Sequence, residues 1–207
     1  MPGLRTSILL SLLVLVFIVA YIVFIHYQTQ IPENMLLHEG TQLTYYLVML
    51  GYNNVCACRV AGQLSIEIIN ITDNKAYVRY AISVSDISES LILKVDLAKN
   101  RIYENSNAGE PSRYWINTGN ILELRKAFEE CNVTLKHKPV SVAGELFEKY
   151  YIIRCSTDVT LMYDYETGIL LKANNYKDHV LEELGISNPC YIAVSYTHLT
   201  LPTKRIV

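Results

Sequence analysis

Residues 64–84 read LSIEIINITDNKAYVRYAISV. Leu64, Ile66 and Ile68 alternate with Ser65 and Glu67; Ala76, Val78, Tyr80, Ile82 and Val84 alternate with Tyr77, Arg79, Ala81 and Ser83. Successive side chains on a strand point to opposite faces, so a period of two over this length marks a sheet with one buried face and one wet face. Thr72-Asp73-Asn74-Lys75 separates the two runs with tight-turn residues, which predicts an antiparallel hairpin. This unit decides the fold class, and the rest of the chain extends it.

Downstream, Leu91, Leu93, Val95 and Leu97 keep the alternation, and Lys99-Asn100 supplies the next turn. Upstream, residues 41–50 (TQLTYYLVML) are rich in β-branched and aromatic types, followed by turn residues Gly51-Tyr52-Asn53-Asn54. Asn105 to Ser112 reads as a polar loop. Ile121 to Glu130 predicts a helix, with Ile121, Leu124 and Phe128 at helical spacing and Asn120 as N-cap. Strands are predicted at 139–143, 146–153 and 159–163. Tyr163 to Lys172 reads as a hairpin in which Asp164 opens the turn and Gly168 takes the positive-φ position. Asp178 to Leu184 predicts a short terminal helix. Eight or nine strands with one or two helices, and no alternation of strand with helix, predict an α+β fold that is mainly β. The expected architecture is a curved antiparallel sheet with one or two covering helices.

The chain has 207 residues, enough for one membrane segment and one domain. Sixteen tyrosines against four phenylalanines suit half-buried strands, where the ring packs and the hydroxyl reaches a polar partner. A formal charge of −2 supplies no basic field, which argues against nucleic acid as a partner.

Residues 8–25 read ILLSLLVLVFIVAYIVFI, a stretch free of charge. Crossing the hydrocarbon core takes about 20 apolar residues, and His26-Tyr27 completes the length at the interface. A cleaved signal peptide would end in small residues, whereas Tyr21 to Ile25 is bulky. The organisation read from this is a membrane anchor at 1–28, a juxtamembrane linker at 29–39 and an extracytoplasmic β-rich domain at 40–192. Arg5 and the amino terminus precede the apolar stretch, and Glu33 is the first charge after it. Positive charge stays cytoplasmic, so the expected protein is single-pass in the cell membrane, N-terminus inside and main domain outside.

Residues 193–207 read differently. Val194 to Thr203 (VSYTHLTLPT) back-translates as GTC TCT TAT ACA CAT CTG ACG CTG CCG ACG, one frame of a transposase-type sequencing-library adapter. The preceding CT completes an alanine codon, and Ala193 is there. After ACG the adapter requires a codon beginning with A, and Lys204 follows. The adapter then gives GTG TAG, which is Val207 and a stop. This segment is therefore expected to be adapter translation, set outside the fold as scars are, with the β-rich domain truncated near residue 192 and a second membrane helix beyond it left open.

Chemistry is sparse. The cysteines Cys56, Cys58, Cys131, Cys155 and Cys190 all lie on the expected outer side, where disulfides persist, so one or two bridges are expected with connectivity open. Cys56-Ala57-Cys58 puts two thiols on one side of an extended chain, the spacing of a redox or soft-metal pair. No Cys-His cluster accompanies it, and no catalytic residue, resident metal or cofactor is expected. Asp164 and Glu166 form an imaginable acid pair, but their turn context reads as hairpin chemistry. Trp115, the single tryptophan, reads as a core anchor. Asn70-Ile71-Thr72 and Asn132-Val133-Thr134 are glycosylation sequons.

The run Tyr163-Asp164-x-x-Thr167-Gly168-Ile169-Leu170-Leu171 resembles a hairpin common in uncharacterised single-pass membrane-anchored β-domain proteins of archaea. The order anchor–sheet–hairpin is similar to that group as well. A looser resemblance is to half-barrels of the lipoprotein-carrier type, which implies a curved antiparallel sheet holding an apolar ligand. The reading that follows is a non-catalytic binding or envelope-structural domain, displayed on the membrane, whose partner is a protein or an apolar ligand. Two alternatives stay open: a thiol/disulfide or metal-binding protein using Cys56 and Cys58, and a subunit of a membrane complex.

Overall fold

The computed structural model describes residues 13–22, 37–52, 55–97, 101–102, 113–119, 121–155, 159–175, 179–186 and 191–200. Of the turn predicted at 51–54, residues 51–52 are strand and 53–54 lie outside the described residues, as do the turn at 99–100, the polar loop at 105–112, the N-cap Asn120, Cys190, the side chains of Cys56 and Cys58, and residues 201–207.

The chain divides into two units, Met1–Ile31 and Pro32–Val207. In the first, residues 13–22 form helix α1, whose large apolar side chains from Leu13 to Ile22 are all more than half exposed. Among the described residues no helix is long and apolar enough to cross a membrane. The flanks of the predicted span, 8–12 and 23–25, lie outside the description.

The second unit is built on one ten-stranded antiparallel sheet. Its strands are β1 (Gln42–Tyr52), β2 (Val55–Thr72), β3 (Lys75–Val84), β4 (Ile87–Asp96), β5 (Arg101–Ile102), β6 (Asn132–Lys136), β9 (Tyr150–Arg154), β10 (Thr160–Asp164), β11 (Leu170–Asn174) and β12 (Tyr191–Thr200), in the order β5-β4-β3-β2-β1-β12-β11-β10-β9-β6. A separate hairpin pairs β7 (Val140–Val142) with β8 (Glu145–Phe147). Helices α2 (Ile121–Ala127) and α3 (His179–Glu183) are short. The α+β, mainly β class therefore stands.

The hairpin at 64–84 is present, with Thr72 paired to Lys75 across a two-residue turn. Asp73 (φ 49°) and Asn74 (φ 64°) both take positive φ, as the twist-matched hairpin turn demands. Leu64, Ile66, Ile68, Val78, Tyr80 and Ile82 are buried. One buried row runs across the sheet in register: Val84, Leu47, Val194, Ala173, Leu161 and Ile153, with Gly62 between Val84 and Leu47. Gly62 is needed there because a Cβ would collide with the Val84 side chain and the Ser83 carbonyl.

Four details correct the sequence reading. The described residues hold twelve strands instead of eight or nine. The strand expected at 146–153 is two, because the chain bends at Glu148-Lys149 and its halves join different sheets. The helix expected to Glu130 ends at Ala127. Asn132–Lys136, not foreseen as a strand, is an edge strand of the large sheet.

Residues 191–200 form a central strand, with Val194 and Tyr196 buried. The codon reading concerns the origin of this segment in the gene, and the pairing concerns what its alternating residues do in this polypeptide.

Of the five cysteines, Cys131 and Cys155 are joined by a disulfide. They stand one residue outside the Asn132–Arg154 pair and close the end of the β6–β9 ladder. Closing a loop of this length, with a sequence separation of 24, constrains the unfolded chain by roughly 3 kcal/mol. Cys131→Ser with Cys155→Ser is expected to lower the midpoint of thermal unfolding by roughly 6–12 °C, read by calorimetry.

Candidate functional site

The tyrosine-rich composition resolves into a chain of rings on the buried face of the sheet. Tyr80 meets Tyr114 at 5.8 Å between centroids, Tyr114 meets Tyr45 at 5.7 Å, Tyr45 meets Tyr196 at 6.2 Å, and Tyr196 meets Phe147 at 6.2 Å. Phe128, just past α2, meets Tyr163 at 6.4 Å. These are tilted or edge-on pairs, the arrangements favoured by ring quadrupoles.

Tyr114 belongs to no regular strand. It lies in residues 113–118, a strap that crosses this face. Trp115 and Tyr114 are fully buried, and Ile116 and Thr118 nearly so. The strap occupies a split in the sheet. Among the described residues β11 and β12 pair at Lys172–Ser195, Ala173–Val194 and Asn174–Ala193; toward Thr200, β12 stays with β1. Where the β12 partner is lost, the strap takes its place. Ile116 N donates to the Gly168 carbonyl (2.8 Å), Leu170 N donates to the Tyr114 carbonyl (2.9 Å), and Trp115 bridges Ile169. Two tyrosines tie the strap from the sheet: the Tyr163 hydroxyl donates to the Arg113 carbonyl (2.7 Å), and the Tyr45 hydroxyl to the Tyr114 carbonyl (3.3 Å).

The 163–172 hairpin positions the strap. Asp164 accepts from Thr167 N (2.8 Å) and Thr167 Oγ1 (2.6 Å), and Gly168 follows at φ 73°. A Cβ on Gly168 would collide with the Ile116 carbonyl, so glycine serves both the backbone conformation and the close approach of the strap. Asp164 is buried in this turn and Glu166 is exposed beside it; Asp164 acts as the turn's acceptor.

Burial pushes the Tyr45 hydroxyl well above the ordinary tyrosine range, reinforced by Tyr163, Tyr196 and Tyr80. Tyr196 is pushed up to about 12 by burial and then by the Glu145 carboxylate. A tyrosine whose folded pKa is raised stabilises the fold fully below pH 10, its unfolded value, and that stability is lost as pH rises through the folded pKa. Titration from pH 9 to 12.5 is therefore expected to show unfolding by circular dichroism concurrent with the tyrosinate absorbance of the buried rings, instead of ionisation of a folded chain.

The other sequence-derived residues are scattered. Asn70 and Asn132 are exposed. Cys56 and Cys58 lie within β2, with side chains outside the description. Among the described residues no group of three His, Cys, Asp or Glu side chains is placed to hold a metal ion. Sequence reading identified Trp115 as a core anchor but missed the strap, because residues 113–118 carry neither helical nor strand periodicity. The tyrosine count was the one signal that pointed to this face.

No protein-family profile matches the chain, and no curated protein matches it. Solved structures with a partial likeness include a DUF1329 family protein from Desulfovibrio piger (8% identity, 82% of this chain and 88% of that one covered, TM-score 0.25). Another is a domain described as an outer membrane lipoprotein-sorting protein from Vibrio parahaemolyticus (11% identity, 80% and 86% covered, TM-score 0.22). A third is a LolA superfamily protein from Nitrosomonas europaea (12% identity, 83% and 90% covered, TM-score 0.20). The second bears the lipoprotein-sorting description that the sequence loosely resembles, and none of the three is archaeal. TM-scores this low fall short of a common fold.

Proposed function

We propose that this chain is a membrane-anchored, extracytoplasmic binding domain without chemistry of its own, and that it takes an apolar ligand at the split between β11 and β12. The observation that carries this is the strap. A ladder of aromatic rings is covered there by an irregular segment, where a continuous sheet would have closed the gap with its own backbone. Backbone bonds to Gly168 and Leu170 and two tyrosine hydroxyls hold the strap. Each such bond contributes about 1 kcal/mol net and exposing the Trp115 ring costs about 2–3 kcal/mol more, a cost that burial of an apolar ligand in its place offsets. Anchoring is supported by the uncharged stretch at 8–25 and by the exposed apolar surface of α1, which in water would be uncovered.

Trp115 is the single tryptophan and is fully buried, so its emission reports on the strap alone. Titrating the full chain in mild detergent with a dansyl-labelled fatty acid is expected to raise dansyl emission and shift Trp115 emission to the red, saturating together. Unchanged Trp115 emission with no dansyl enhancement would favour the envelope-structural reading, in which the rings are simply core. We further propose that residues 193–207 are adapter translation; codons in the gene other than those given above would refute this.

A further inference from the structure

We propose that Asn70 and Asn132 are acceptors for N-linked glycan, displayed on the outer face of the sheet opposite the aromatic ladder. This rests on the extracytoplasmic reading above, and the test separates the two.

The placement of Asn70 is the first observation. Leu64, Ile66 and Ile68 face inward, so strict alternation would turn Asn70 inward as well. A β-bulge between Ile68 and Asn70 breaks the register, pairing Ile68 with Val78 but Asn70 with Tyr77. The bulge re-aims the chain. Ile71 now pairs with buried Ala76, while Asn70 and Thr72 both emerge exposed on the outer face. The second sequon reaches the same face without a bulge. Val133 pairs with buried Ile153, which leaves Asn132 and Thr134 opposite Arg154 and Ile152 on the outer side.

The geometry within each triplet also agrees. Thr72 Oγ1 lies 3.4 Å from Asn70 Oδ1, and Thr134 Oγ1 lies 3.3 Å from Asn132 Oδ1. These hydroxyl contacts are long, so they report alignment more than bond strength. In both triplets the threonine faces the amide oxygen, and among the described residues the amide nitrogen has no protein acceptor. No other asparagine in the chain is followed two positions on by Ser or Thr.

The reaction takes its sugar from a polyprenyl-pyrophosphate-linked oligosaccharide. The asparagine amide nitrogen bonds to C1 of the first sugar, the C1–oxygen bond to pyrophosphate breaks, polyprenyl pyrophosphate leaves, and the amide proton passes to the transferase. A glycan on Asn132 would also stand at the start of β6, an edge strand whose open backbone otherwise invites pairing with another chain.

The test is translation of the full chain in the presence of microsomes, read by gel mobility before and after endoglycosidase. Two discrete glycan steps are expected. Asn70→Gln and Asn132→Gln should each remove one, and Thr72→Ala and Thr134→Ala should do the same with the asparagine intact. Asn107→Thr, which completes a third acceptor triplet at Asn105, serves as the topology control. A step from Asn107→Thr with none from the two natural triplets would overturn this proposal and leave the extracytoplasmic reading standing. A step at one natural triplet alone would overturn the assignment of the other. No step from any of the three would overturn both readings.

Discussion

A chain ending at Ile192 is expected to show no cooperative unfolding transition. Residues 193–200 supply most of β12, which pairs along β1 from Gln42 to Leu50 and with β11 at Lys172 to Asn174. Removing them strips the ladder from the middle of the sheet, exposes one side of β1 and uncovers the inner-face neighbours of Val194 and Tyr196. Those two side chains alone contribute roughly 2–3 kcal/mol each on burial, before any loss of paired backbone or of the Phe147 contact. Total stability of a domain is about 5–15 kcal/mol, so the deletion is comparable to the whole. Chemical denaturation followed by far-ultraviolet circular dichroism tests this. As a control, Ser195→Thr, on the opposite side of the strand from Val194 and Tyr196, is expected to change stability by no more than about 0.5 kcal/mol. A sharp transition in the shortened chain at unchanged midpoint would show that the sheet does not need this strand.

Gly168→Ala is expected to destabilise the domain by about 4 kcal/mol and to release the strap. Two effects add. Holding alanine at φ 73° costs about 1–2 kcal/mol, because the Cβ crowds the neighbouring carbonyl in the left-handed region. The Cβ also enters space held by the Ile116 carbonyl, which is backbone and cannot swing aside as a side chain would. Relief requires residues 114–116 to move, which breaks the bond from Ile116 N to the Gly168 carbonyl and loosens the packing of Trp115. The remaining loss of about 2–3 kcal/mol reflects partial exposure of an aromatic side chain. The distinguishing readout is Trp115 emission, which should shift to the red under conditions where the rest of the fold persists. A stability loss with unshifted emission would place the damage in the 163–172 turn and leave the strap fixed.

The particular residues show why some features were legible from sequence. Asp73-Asn74 and Asp164-Thr167-Gly168 were readable because turn chemistry is local: positive φ and side-chain-to-backbone bonds involve residues within a few positions. The alternation at 64–68 and 76–84 was readable for the same reason. Asn70 was not, since one extra residue in a strand reverses every side chain beyond it and leaves no mark in composition. The pairing of Cys131 with Cys155 was likewise beyond spacing arguments. It follows from β6 joining β9 at the edge, a contact between segments that the sequence separates by a hairpin.

Residues 193–200 illustrate the limit from the other side. Apolar alternation at Ile192, Val194 and Tyr196 is enough to fit a slot bounded by β1 and β11, whatever codons specify it, because a sheet interior recognises pattern and approximate volume. Sequence by itself determined the class of fold, the hairpins, the apolar stretch near the start and the excess of tyrosine. Only tertiary structure decided which strands are neighbours, where the sheet splits, and that Tyr114-Trp115-Ile116 fills the opening. Period and turn chemistry act over a few residues, whereas the β1–β12 pairing and the seating of the strap depend on contacts between segments 50 or more positions apart.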